Sequence, residues 1–216
     1  MVRIHGVSAS PFVRKVRLAM IEKNLRYEIV PVMPFAPPPG FEALSPLGKV
    51  PVYQDGDFVL PDSSCILAYL EKAHPSPPLY PSDPKSYGKA LFFEEYADSR
   101  LAEAVAAVFA ERIVKKLMKQ PPDEARIEKG LTELLPRAFT WLDAHAPAAG
   151  DAIVEGRFGV ADIAIGTQLA NLAHAGEKID ASRFPKLAAY VERVFARPSF
   201  AACIDEERRM FSQLVG

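Results

Sequence analysis

The run His74-Pro75-Ser76-Pro77-Pro78-Leu79-Tyr80-Pro81 is the strongest constraint on how this chain can fold. Proline at this density removes backbone donors and fixes φ, so the segment excludes both helix and sheet. The two sides of it also differ in kind. Before it, short β-branched runs alternate with amphipathic stretches; after it, no segment reads as a strand. The break predicts a small α/β domain over residues 1–80 and an all-helical domain over residues 86–216. A chain of 216 residues is long enough for each part to bury its own core.

Within the first part, Val2 to Val7 reads as a strand and residues 11 to 24 as a helix with Val13, Val16 and Met20 on one face. Arg14, Lys15 and Arg17 are assigned to the solvated face of that helix. Tyr27 to Met33 is a β-branched run and a second strand. Pro34 to Gly40 is a proline-rich loop, followed by a short helical piece around Phe41 to Leu44. Val50 to Gln54 and Phe58 to Leu60 flank Asp55-Gly56-Asp57, a hairpin signal, so the last two strands are expected to be antiparallel neighbours. Asp62 to Ala73 is a helix with Ile66, Leu67 and Leu70 at helical spacing. The order βαβ then ββα predicts a small sheet with helices on its faces.

Beyond the break, a long helical pattern runs from about Pro84 to Lys119 and is closed by Pro121-Pro122. Asp123 to His145 follows, with Pro136 as an expected kink. Gly159 to Ala175 is apolar throughout and is expected to be the buried central helix. Phe184 to Ala196 and Pro198 to Leu214 complete the helical half.

Two helix starts carry candidate chemistry. Ser10 precedes Pro11, and proline suits a first helical turn, so Ser10 is the expected N-cap. A hydroxyl there sits beside unpaired amide N–H groups and the positive end of the helix dipole, which is a place for an anion. The same residue can also serve as a cap and nothing more. Asp62-Ser63 opens the later helix in the same way, and Gly159-Val160-Ala161-Asp162 puts an acid at the third position of the central helix, where it can accept backbone bonds.

Composition narrows the function classes. A net charge of −1 and a pI near 6.4 give no basic field for nucleic acid or an acidic membrane surface. No apolar run approaches the roughly 20 residues needed to span a bilayer, and the strand-like start leaves no leader to expect. The two cysteines, Cys65 and Cys203, form no disulfide or metal framework, which suggests a reduced, cytoplasmic setting. The four histidines, His5, His74, His145 and His174, show no constellation with a serine.

Four motifs, in order and at similar separations, resemble those of the cytosolic glutathione S-transferases over essentially the whole chain. They are Ser10-Pro11-Phe12-Val13-Arg14-Lys15-Val16-Arg17, Ser45-Pro46-Leu47-Gly48-Lys49-Val50-Pro51, Asp62-Ser63-Ser64-Cys65-Ile66 and Val160-Ala161-Asp162-Ile163. The resemblance implies an α/β plus all-α fold: a thioredoxin-like βαβ-ββα domain that binds glutathione, then a helical domain contributing the electrophile site. The serine directly before Pro-Phe is similar to bacterial and tau/theta-like members and implies Ser10 as the catalytic hydroxyl, with Ser8 as its rival. Omega-like members carry cysteine there, and the Ser-Ser-x-Ser type of motif of the isomerising zeta class is absent.

The resemblance further implies that a cis Pro51 turns the backbone of Val50 outward to pair with the peptide of glutathione. By the same carry-over, Ser63 and the helix start meet the γ-glutamyl carboxylate, Asp62 meets its ammonium and Lys49 the glycine carboxylate. Relatives usually have glutamate where this chain has Asp62. The electrophile site is expected between Phe12, Phe35 and Phe41 on one side and Tyr96, Arg100 and Phe109 of the first long helix on the other. Glutathione is the expected co-substrate, with no metal, a small hydrophobic electrophile as the other partner, and a homodimer in which that helix lies at the interface; Asp98 on it is either a solvated helix acid or a group that reaches toward the partner's site. No nucleic-acid or membrane partner is expected.

Overall fold

The computed structural model describes residues 1–154 and 156–215, the last three of these by backbone alone. The chain divides into two compact units, Met1–Tyr80 and Pro81 onward.

In the first unit, Val2–His5 (β1) pairs in parallel with Tyr27–Val30 (β2) across the helix Pro11–Glu22 (α1). Val52–Asp55 (β3) lies antiparallel on the other side of β1, and Phe58–Pro61 (β4) is antiparallel to β3, giving the order β2-β1-β3-β4. Asp55 pairs with Phe58 around Gly56, whose φ of +57° suits the tight hairpin turn. Three strands are shorter than expected. β1 ends at His5 and β2 at Val30, although Gly6 N–H still donates to the Val30 carbonyl at 2.9 Å and Val32 N–H to the Gly6 carbonyl at 3.4 Å. Pro31 therefore sits with its nitrogen toward the open edge, where no ladder bond is lost; β3 begins only after Pro51.

Ser63–Ala73 (α2) packs against α1 over a core of Ile4, Val13, Val16, Val52, Ile66 and Leu70, each without exposed surface. The charges of α1 depart from expectation. Arg14 and Lys15 are fully buried and Arg17 nearly so. Lys15 Nζ donates to Ser64 Oγ at 2.9 Å and Arg17 Nε to the Tyr27 hydroxyl at 3.1 Å, so these stems lie along apolar surface while their heads meet polar groups. At the end of the unit, Lys23 Nζ donates to the carbonyls of His74 (2.7 Å) and Pro77 (2.9 Å) and pairs with Glu71 at 2.8 Å. The Glu71 carboxylate also accepts from Leu79 N–H, so one buried ammonium ties the proline segment to the end of α1.

The second unit is helical. Pro84–Tyr96 (α3) leads through a wide π turn, Ala97–Leu101, into Ala102–Phe109 (α4), and a second π turn, Ala110–Val114, leads into Lys115–Leu117 (α5). Glu124–Lys129 (α6) passes through another π turn, Gly130–Leu134, into Leu135–His145 (α7). The irregularity expected at Pro136 is thus displaced one turn earlier. A proline ring crowds the carbonyl four residues before it, here Thr132, and the widened turn makes room. Glu111 braces this region, accepting from Asp123 N–H at 2.8 Å and pairing with Lys115 at 2.5 Å and Arg126 at 3.0 Å, cations and donors that hold its carboxyl below the usual range.

Val160–His174 (α8) is buried from Val160 through Leu172 and packs on α3, α4 and Pro185–Phe195 (α9). Pro198–Val215 (α10) ends the described chain. Asp162 anchors α8. Its carboxylate accepts from Ile153 N–H (2.7 Å), Gly159 N–H (2.9 Å) and the Tyr190 hydroxyl (2.6 Å). No helix of the described residues is long and apolar enough to cross a membrane.

Candidate functional site

Gly6, just past β1, is where the candidate site is assembled. Its φ is +149°, and a Cβ there would stand 2.4 Å from Val13 Cγ2 and 3.3 Å from Val50 Cβ. Any side chain would push these apart, so the glycine lets the first turn of α1 and the segment before β3 close on one strand end. Nothing in the sequence reading singled it out.

On the α1 side, Ser10 is the N-cap, with extended backbone (φ −68°, ψ 127°) and Pro11 as the first helical residue. Its Oγ accepts from Val13 N–H at 3.5 Å, a long bond, and the hydroxyl proton is not used by it. Ser8 lies two residues earlier in the turn and is also half-buried. On the other side, Val50 is 7% exposed and joined to Pro51 by a cis peptide. Neither its N–H nor its C=O has a hydrogen bond among the described residues. Lys49, next to it, is exposed, with a side chain that makes no ion pair there.

The start of α2 is the third part of the site. Asp62 is its N-cap at φ +77°, a left-handed value that a non-glycine residue holds only at a cost of about 1–3 kcal/mol. That backbone turns Oδ1 onto Ser64 N–H (3.0 Å) and Cys65 N–H (3.1 Å), leaving Oδ2 without a hydrogen bond among the described residues. Ser63 is the first helical residue and is buried, and neither its N–H nor its hydroxyl is bonded there. Lys15 reaches the next residue, Ser64, so a buried ammonium adds to the positive end of the helix. An open N–H, a hydroxyl and a cation at a helix start are the parts of an anion site.

The family model for the glutathione S-transferase N-terminal domain matches residues 4–78, and that for the C-terminal domain matches residues 102–193. A glutathione S-transferase from Methylobacterium radiotolerans, solved in complex with glutathione sulfonate, is 31% identical and superposes with a TM-score of 0.76 over 94% of both chains. The chain belongs to the glutathione S-transferase family. Among curated members, glutathione S-transferase F13 of Arabidopsis thaliana is 33% identical over 138 residues, which cover 61% of this chain and 63% of that protein's length. The stringent starvation protein A homolog of Haemophilus influenzae is 28% identical over 199 residues, 90% of this chain and 86% of that one.

The aromatic residues expected from the transferase resemblance are each accounted for within their own unit. Phe12 is half-buried in the first turn of α1, Phe35 is 41% exposed in the proline loop, and Phe41 is buried in a short 3-10 turn, Phe41–Ala43. Tyr96 stacks on Trp141 at 4.2 Å between centroids, and its hydroxyl reaches the Ala138 carbonyl at 3.4 Å. Burial raises the Tyr96 hydroxyl above its ordinary pKa, against the opposing charges of Arg100 and Arg137. Arg100 pairs with Glu103 at 3.3 Å, and Asp98 lies half-buried in the same π turn. Phe109 meets Phe211 edge-on at 6.4 Å.

Proposed function

We propose that this member of the glutathione S-transferase family activates the glutathione thiol as a thiolate and delivers it to a small hydrophobic electrophile. The observation that carries the reading is the unpartnered Val50 peptide closed against the Ser10 helix start across Gly6. An extended peptide laid beside Val50 gains an N–H and a C=O in the manner of an added strand. In this register, the γ-glutamyl carboxylate meets Ser63 and the start of α2, the ammonium meets the free Oδ2 of Asp62, and Lys49 takes the glycine carboxylate.

Ser10 then donates its O–H to the sulfur. A thiol with a pKa of ~8.5 is roughly 3% ionised at pH 7, and lowering that by ~2 units requires about 2.7 kcal/mol in favour of the anion. A charge-assisted hydrogen bond together with the positive end of α1 is of that size. The proton leaves to solvent, and the thiolate forms the new S–C bond as the leaving group departs with its electron pair. Phe12, Phe35, Tyr96 and Arg100 are the proposed electrophile-binding residues.

Titration calorimetry tests the binding step. Glutathione is expected to bind with a Kd between about 1 μM and 1 mM, or roughly −8 to −4 kcal/mol. A second reading, a non-catalytic binding or scaffold protein on the same fold, is favoured by the likeness to a relative named for stringent starvation rather than for transfer. No heat and no thermal shift at about 10 mM glutathione would favour it.

A homodimer is part of the proposal. Tyr87, Leu91 and Phe92 of α3 form an exposed apolar face, Leu91 at 39% and Phe92 at 56%. A C2 pairing through α3 buries that face in both copies. Light scattering at micromolar concentration is expected to give twice the 23.7 kDa chain mass, and the single-chain mass would contradict it.

A further inference from the structure

The loop leading into Val50 is closed on a single buried hydroxyl. Ser45 has no exposed surface, although residues 46–49 are all exposed. Its N–H donates to the Phe41 carbonyl at 2.9 Å, and its C=O accepts from Gly48 N–H at 2.8 Å. Its Oγ donates to the Lys49 carbonyl at 2.8 Å and accepts from Lys49 N–H at 3.1 Å. Gly48, at φ +62°, supplies the left-handed turn that lets the loop come back on itself.

The Lys49 carbonyl and the Val50 N–H belong to one planar peptide unit. In a trans unit the two point in opposite directions, so a hydroxyl that holds the carbonyl also sets where the N–H points. That N–H is the one without a partner among the described residues. We infer that Ser45 is a positioning residue: its hydroxyl clamps the Lys49–Val50 peptide and aims the Val50 N–H at the peptide carbonyl of the ligand. The inference rests on the reading of Val50 as the peptide-binding strand for glutathione. Because the contact is remote from the sulfur, ground state and transition state use it equally, and its loss belongs in KM and not in kcat.

The test is Ser45→Ala beside Ser45→Thr, with the glutathione Kd from calorimetry and with KM and kcat for an aryl halide. Ser45→Ala is expected to raise both Kd and KM for glutathione about tenfold, with kcat within about twofold of wild type. Ser45→Thr, which keeps the hydroxyl, is expected to restore them. A purely structural role would lower the melting temperature while leaving KM unchanged where both proteins are folded. Should Ser45→Ala not fold, Ser45→Cys keeps the volume with a weak donor and is expected to raise the Kd several-fold. Wild-type affinity in Ser45→Ala or Ser45→Cys overturns this inference alone. A wild-type protein that binds no glutathione overturns the proposed function and this inference with it.

Discussion

Asp162→Ala is expected to lower stability by about 3–5 kcal/mol, the largest effect of any single change considered. The substitution leaves Ile153 N–H, Gly159 N–H and the Tyr190 hydroxyl without their acceptor, in a region where Asp162 and Tyr190 are buried. Tyr190 remains protonated at all working pH values, since burial and the neighbouring Asp162 charge push its hydroxyl well above its ordinary value. It is therefore a donor that cannot adapt.

The pH dependence has a definite sign. Burial pushes the Asp162 carboxyl up to about 6, against the three donors that favour the anion. A folded pKa above the unfolded one means that the native state binds the proton more tightly. The associated stability, about 3 kcal/mol, is fully present below about pH 4 and is lost as pH rises through about 6. Asp162→Asn cannot titrate, so its stability lacks this component; urea melts at pH 4.5 and pH 7 for the two proteins isolate it. Equal pH dependence in wild type and Asp162→Asn would contradict the assignment.

What could be read in the sequence was what depends on near neighbours. Ser10-Pro11, Asp62-Ser63 and Asp55-Gly56-Asp57 carry their own instructions, because a cap or a tight turn is decided within three or four residues. The break at residues 74–81 was legible for the same reason. The burial of Arg14, Lys15 and Arg17 was not, since three cations on a helix look the same whether they meet water or, as Lys15 does, the hydroxyl of Ser64 from another helix. Gly6 was missed, and Ser45 was read only as part of a motif with no role of its own, because their signals are a contact with Val13 and Val50 and a hydroxyl turned inward, both set by tertiary closure. The π turns at Ala97–Leu101 and Ala110–Val114 carry no local mark at all.

The second large effect concerns Ser10. If its hydroxyl holds the thiolate, Ser10→Ala removes one charge-assisted hydrogen bond and is expected to slow conjugation tenfold or more, about 1.5–3 kcal/mol of transition-state stabilisation. Glutathione affinity is expected to change little, because the proposed peptide contacts lie at Val50 and the start of α2. Stability is expected to fall by no more than ~1 kcal/mol, since the cap bond to Val13 is already long at 3.5 Å. Ser10→Cys is expected to lose conjugation and gain disulfide exchange, because a thiol at a helix start ionises readily.

The rate of conjugation of a generic aryl halide at saturating glutathione, compared among wild type, Ser10→Ala and Ser8→Ala, is the most direct measurement. Measurable turnover in wild type, a loss of about tenfold or more in Ser10→Ala and near wild-type turnover in Ser8→Ala are the results this account predicts. Full activity in Ser10→Ala with loss in Ser8→Ala would move the catalytic hydroxyl by two residues, and a wild-type protein that binds glutathione but attacks no electrophile would contradict the transferase function itself.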